Sequence, residues 1–319
     1  MDFLLNDIHT DLAQTVDDIL ERAGGVTVAR AWADNGDTAP ALAVYRQLAE
    51  AGITGLIVPD EIGGSGAGAT EMVVALERIG RAALPGPVAE TFAVVPSTLG
   101  ASSQLDALLS GTPATCALAP VAPRATNPDV ATPYLLADGA VFTASHGELL
   151  ESVDPTRRVA ELTAGDRVGD ADTAAAADLG ALATAAQFLG LGSAMLDMAA
   201  DYAKSRKQFG REIGSFQAVK HHLADVAIAI EMARPLVHGA AVGLDGQSPE
   251  GTDVARDIAA AKVAAGDAAY LASRRGLQVL GAIGYTAEHD LSLYLTKTRA
   301  LLSAWGTPAY HRARILETL

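Results

Sequence analysis

Two strongly periodic helical segments meet at a short connector, Tyr202 to Gln217, which reads YAKSRKQFGREIGSFQ. Before it, Phe188, Leu191, Met195, Met198 and Tyr202 step by 3, 4, 3 and 4, one face of an amphipathic helix. After it, Phe216, Val219, Leu223, Val226, Ile230 and Val237 continue that spacing. Asp253 to Leu280 and Leu291 to Ser303 supply two more helices. Four long helices joined by short loops read as an antiparallel bundle over residues 170–319.

The first part, residues 1–110, also reads as helical. Phe3 to Glu21 has apolar positions at Leu5, Ile8, Leu12, Val16 and Ile19, and Pro40 opens another helix that Gly52 stops. A loop with Gly63, Gly64, Gly66 and Gly68 ends at Thr70, a natural N-cap for a helix from Glu71 to Ala83. Residues 111–165 differ. Short apolar runs are punctuated by six prolines, and Asp138-Gly139 between YLLA and AVFTA is a favoured two-residue hairpin turn. Three to five strands are expected, giving a mainly α chain with a small β segment.

The 319 residues exceed one typical core, and half of them are hydrophobic against 19% charged, so a disordered chain is excluded. A net charge of −15 argues against nucleic-acid or anionic-membrane partners. Cys116 is the single cysteine, so no internal disulfide forms. The opening MDFLLNDIHTDL lacks the charge and apolar order of a signal peptide, and no apolar run reaches the roughly 18 residues of a membrane span. A cytoplasmic location is the expectation.

Within the connector, Arg206 follows a helix whose apolar face is already complete, and a guanidinium clamps two phosphate oxygens at once. Phe209 offers an aromatic surface. Gly210 and Gly214 let the backbone turn sharply, and the next helix aims its first amides at the same place. A charged helix end with a glycine stop is the plainer reading of these residues alone. Further on, Gln278 precedes Gly281 and Gly284 in QVLGAIGY, which otherwise reads as a helix C-cap.

YxxxRxQFGxxIxxFQ followed some sixty residues later by QxxGxxGY resembles the C-terminal domain of the acyl-CoA dehydrogenase family. GLIVPDEIGGSGAGATEMVVALERIGRA is similar to that family's N-terminal segment around VPEEYGGSG. The resemblance implies an N-terminal helical domain, a middle β domain and a C-terminal four-helix bundle. It also implies that Arg206, Phe209, Gln217, Gln278, Gly281 and Gly284 hold the pyrophosphate and adenosine end of a partner subunit's FAD.

Against the same pattern, the chain lacks a base. The family removes a weakly acidic proton beside a thioester, which demands a carboxylate in a dry pocket. Where the family has a YEGT glutamate this chain reads Ala304, Trp305, Gly306, Thr307, so Trp305 takes the base position. The family's other base location, on the first bundle helix, falls at Gly180 with Leu179 beside it. Asp178 is displaced by about 200° around that helix. The TEPxxGSD loop and W-x-T strand that cradle the flavin ring are missing as well.

The resemblance therefore extends to actinobacterial heterotetramers that oxidise steroid-derived CoA thioesters, with the flavin between unlike subunits. It implies an α2β2 complex in which a catalytic partner holds most of the acyl-CoA and this chain completes its FAD site. Two alternatives remain open: a self-sufficient homo-oligomer using Asp178 or Glu288 as base, and a non-catalytic scaffold. Adjacent His221 and His222 lack companion ligands for a metal, and Gly64, Gly66 and Ala69 lack the βαβ series of a dinucleotide fold. Ser145-His146 has no acid partner, and Asp17-Asp18 reads as a solvated helix face.

Overall fold

The computed structural model describes residues 5–318. Helix α1 (Asp7–Arg22) starts at Asn6, whose side chain and that of His9 cap each other's backbone amides. Phe3 and Leu4, part of the expected helix, lie outside the described residues. Val16 and Ile19 are buried as the spacing predicts, but Leu5 and Ile8 face solvent. Helix α2 (Val26–Asn35) carries no sequence signal strong enough to have been read; α3 (Ala39–Glu50) follows, with its proline in the first turn.

Helix α4 (Ala69–Arg81) begins at Ala69, which corrects Thr70 as its N-cap. The cap is supplied from far away in sequence. Asp245 accepts from Ala69 N at 2.7 Å, Thr70 N at 3.0 Å and Thr70 Oγ1 at 2.6 Å. Nor is Asp17 solvated, because it pairs with Arg78 of α4 at 2.6 Å. A buried turn, Glu90–Val94, leads into α5 (Val95–Thr98), and α6 (Ser103–Leu109) closes the N-terminal helices.

Seven strands follow rather than three to five: β1 (Ala114–Ala117), β2 (Ala125–Thr126), β3 (Thr132–Ala137), β4 (Ala140–His146), β5 (Leu150–Glu151), β6 (Arg158–Ala160) and β7 (Leu162–Asp170). They form a four-stranded sheet, β1-β3-β4-β7, and a three-stranded one, β2-β6-β5. The additional strands are two or three residues long, too short to show alternation. Asp138 and Gly139 both have positive φ and join β3 to β4 as a tight hairpin. The last strand runs on to Asp170, past residue 165.

Helix α7 (Thr173–Ser205), a small hairpin of β8 (Lys207–Gln208) and β9 (Arg211–Glu212), and helices α8 (Gln217–Leu244), α9 (Val254–Leu280), α10 (Leu291–Leu301) and α11 (Pro308–Leu316) make the C-terminal part. By length and composition α7 and α8 are apolar enough to cross a membrane; in α7 those residues form the bundle's core. Gly80 of α4 and Gly190 of α7 sit against the other helix's backbone, so the two helical parts share one tightly packed seam. Lys297 of α10 and buried Asp154 pair at 3.2 Å, which ties the β segment to the bundle.

Asp245 joins α8 to α4 by three hydrogen bonds, so Asp245→Ala leaves two helix-start amides unpaired. A loss of about 1–2 kcal/mol is expected, measured as a lower urea midpoint with unchanged slope. An unchanged midpoint would show that solvent caps α4 equally well.

Candidate functional site

Helix α7 ends where Arg206 turns extended, and Ile213 N donates to Arg206 O at 2.8 Å to close the hairpin. The hairpin tip is Phe209-Gly210, both with positive φ, at 52° and 78°. Glycine takes that conformation freely, whereas a bulky side chain is strained in it. Phe209 is nonetheless 92% exposed, touching only the edge of Phe216 at 6.2 Å between ring centroids. Arg211 stacks over Phe216 at 4.2 Å, Lys204 pairs with Asp201 at 2.9 Å, and Lys207 reaches Glu212 at 3.5 Å. Arg206, by contrast, is exposed and has no ion-pair or side-chain hydrogen-bond partner among the described residues.

The helices bring the second motif to the same end. Phe188 lies against Gly266, Gly192 against Ala269 and Met195 against Gly276, so α7 and α9 run parallel and finish together. Helix α8 runs back beside them, with Ile230 against Gly192 and Asp225 within 3.8 Å of Arg275, so its first residue, Gln217, lies at that end too. Gln217 and Gln278 are both exposed. Gly281, at φ 62°, has nothing within 4 Å of where a side chain would start, so its surface is open. Gly284 faces inward against Leu277, Leu280 and Leu291 and shapes the turn from beneath. An uncommitted guanidinium, two exposed amides and an open glycine thus lie toward one end of the bundle, groups of the kind that suit a phosphate-containing dinucleotide.

Gly180 and Trp305, far apart in sequence, touch. A side chain starting at Gly180 would lie 2.2 Å from the indole of Trp305, which is 1% exposed. Trp305 sits between α10 and α11 with φ 54°, and Gly306 N donates to Val121 O at 2.9 Å, pinning this link to the loop after β1. His311 donates through Nε2–H to Trp305 O at 2.9 Å, leaving Nδ1 buried without a partner. Asp178 is held by Arg314 in a two-point ion pair, and Glu288 is exposed, so neither approaches this place as a base.

One carboxylate does. Glu90, 7% exposed, accepts from Trp305 Nε1 at 3.1 Å. Burial pushes its pKa above the usual range, while its own backbone amide, nearby Arg157 and the indole pull the other way. It lines a cleft of about 330 Å³ with Pro120 to Arg124, Arg157, Trp305 and Tyr310. Sequence reasoning missed it; the signal available was a lone acid inside the apolar run Val88 to Val95.

The acyl-CoA dehydrogenase N-terminal domain matches residues 6–110 and the C-terminal domain residues 171–319. Acyl-CoA dehydrogenase IpdE2 of Mycobacterium tuberculosis is 32% identical over 314 residues, covering 93% of this chain and 92% of the relative. The ChsE4-ChsE5 complex from the same organism has a chain with TM-score 0.81 and 24% identity, covering 99% of this chain and 98% of that one. A variant of the Tcur3481-Tcur3483 steroid ACAD gives 0.79 and 22%, with 98% and 97% covered. At those identities the two structures show a shared fold. The chain belongs to the acyl-CoA dehydrogenase family, whose members depend on FAD.

Because the indole fills the space above residue 180, Gly180→Ala is expected to cost at least about 2 kcal/mol by overpacking. Urea unfolding reads this out; a loss under 0.5 kcal/mol would mean that the ring moves aside freely.

His311 supplies a pH dependence. Burial lowers its pKa to about 4, from an unfolded value of 6.5. A depressed folded value means the stabilisation is complete above pH 6.5 and is lost as pH falls through about 4. The loss is about 3 kcal/mol. Glu90, with its raised value, acts in the opposite sense, so the comparison is with His311→Asn, which keeps a donor for Trp305 O. Melting temperatures of the two proteins should converge toward pH 4; parallel profiles would exclude His311.

Proposed function

We propose that this chain is the non-catalytic subunit of a heteromeric FAD-dependent acyl-CoA dehydrogenase, α2β2 in composition. In this reading a catalytic partner holds the acyl-CoA, and Arg206, Phe209, Gln217, Gln278 and Gly281 grip the pyrophosphate and adenosine half of the partner's FAD, with Gly284 shaping the turn. The bound flavin supplies the hydride acceptor. The carrying observation is the Trp305–Gly180 contact: both family base positions are occupied by a packed indole and the space it needs. Exposure of the unpaired Arg206 and of the strained Phe209 supports a ligand or subunit beyond this chain. A steroid-derived acyl group is the proposed substrate, on the strength of the likeness to a steroid ACAD.

Buried Glu90 is the specific observation that favours a second reading, a self-sufficient enzyme with an unusual base. Purification separates the two. Alone, the chain should be colourless and inactive toward acyl-CoA; co-expressed with its catalytic partner it should yield a yellow complex. A yellow, active single chain that Glu90→Gln silences establishes the second reading instead. In the complex, Arg206→Ala should weaken FAD binding about 10- to 100-fold, since a charge-assisted phosphate contact is removed, with assembly intact on gel filtration. Full flavin retention would make Arg206 a surface charge only.

A further inference from the structure

We propose that the cleft beside Trp305 binds a free carboxylic acid with a small apolar body, held as its carboxylate by Arg157. The inference concerns this chain alone and stands or falls separately from the subunit reading above. Arg157 is largely buried, and its one side-chain hydrogen bond among the described residues runs from Nη2 to Thr126 Oγ1 at 3.1 Å. Burial pulls its pKa down, while nearby Glu90 and Asp154 pull the other way. Neither carboxylate forms an ion pair with it among the described residues. Glu90 accepts from the Trp305 indole, and Asp154 is taken up by Lys297 at 3.2 Å and by Thr156 N and Oγ1 at 2.9 and 2.8 Å. A buried guanidinium without a counter-charge is costly, and an anion in the cleft removes that cost.

The local fold holds Arg157 in place. Residues 154–157 form a tight turn just before β6, closed by Arg157 N donating to Asp154 O at 3.0 Å. Asn127 Nδ2 braces the turn by donating to Thr156 O at 3.2 Å, and Lys297 of α10 anchors its buried aspartate. Arg157 lines the cleft of about 330 Å³ together with Pro120, Val121, Pro123, Ala304 and Trp305. That volume is at the small end for a small-molecule site, and such walls suit an alkyl or phenyl group. Arg124 lines the same cleft, half-exposed and 3.5 Å from Glu161, and adds a second positive charge there. Glu90 is the opposing charge, but burial raises its pKa, so taking up a proton relieves its repulsion of a second carboxylate.

The test titrates the full chain with benzoate and with hexanoate, each beside its neutral counterpart, benzamide or hexanamide, by calorimetry and tryptophan fluorescence. At least one acid binds, and its amide binds about tenfold or more weakly because a charge-assisted contact is lost. Arg157→Gln weakens the acid about tenfold or more, while Arg157→Lys, which keeps the charge without the planar fork, falls between. Circular dichroism confirms folding. If Arg157→Gln does not fold, Ala122→Phe, which fills the cleft from its wall, takes its place and abolishes binding. Equal affinity for acid and amide, an affinity untouched by the variant, or no binding of either acid at about 10 mM overturns the proposal and leaves the subunit reading standing.

Discussion

The contact between Trp305 and Gly180 is the constraint from which the character of this chain follows. An indole buries about 150–250 Å² on folding, and here it does so only because residue 180 has no side chain. The surrounding structure is committed to holding it: Val121 fixes the following glycine, His311 binds its carbonyl, and Glu90 takes its ring N–H. The result is a volume of core where a reacting thioester would otherwise need a proton acceptor and open space. Close packing leaves no intermediate arrangement, because a larger residue at 180 and the ring at 305 exclude each other.

The opposite condition holds at the end of the bundle. There the basic residues near the helix turn are engaged one by one, Lys204 and Lys207 with carboxylates and Arg211 with an aromatic ring. That leaves Arg206 exposed and uncommitted in a chain of net charge −15. Unlike the Trp305 cluster, nothing within the described residues closes over this surface. One region is closed on itself and the other stands open to solvent.

Much of this was legible in the sequence, and what was not has physical reasons. The long helices announce themselves because Phe188 to Tyr202 and Val226 to Val237 repeat with the helical period, and Asp138-Gly139 states its own turn. Short strands such as Ala125–Thr126 have no period to read. Thr70 is a good local candidate for the α4 cap, while the true acceptor, Asp245, lies far away in sequence at the C-terminal end of α8. The two family base positions were visible as an odd tryptophan and an odd glycine. That they are one contact is a fact of three dimensions. Glu90 was hidden for the same reason, since burial beside an indole is tertiary information.

Two residues with left-handed backbone show how the halves differ. Both Trp305 and Phe209 are bulky and have positive φ, a conformation that costs an L-residue roughly 1–2 kcal/mol. For Trp305 the cost is offset internally, by burial of the whole ring and by hydrogen bonds to Glu90 and from His311. Phe209 gains nothing comparable: its ring stands in solvent and meets one edge of Phe216. A fold shaped by its own stability would place glycine or asparagine there. The strain at Phe209 therefore has no compensation of that kind in the described residues, and the ring remains an exposed apolar surface at the tip of the hairpin.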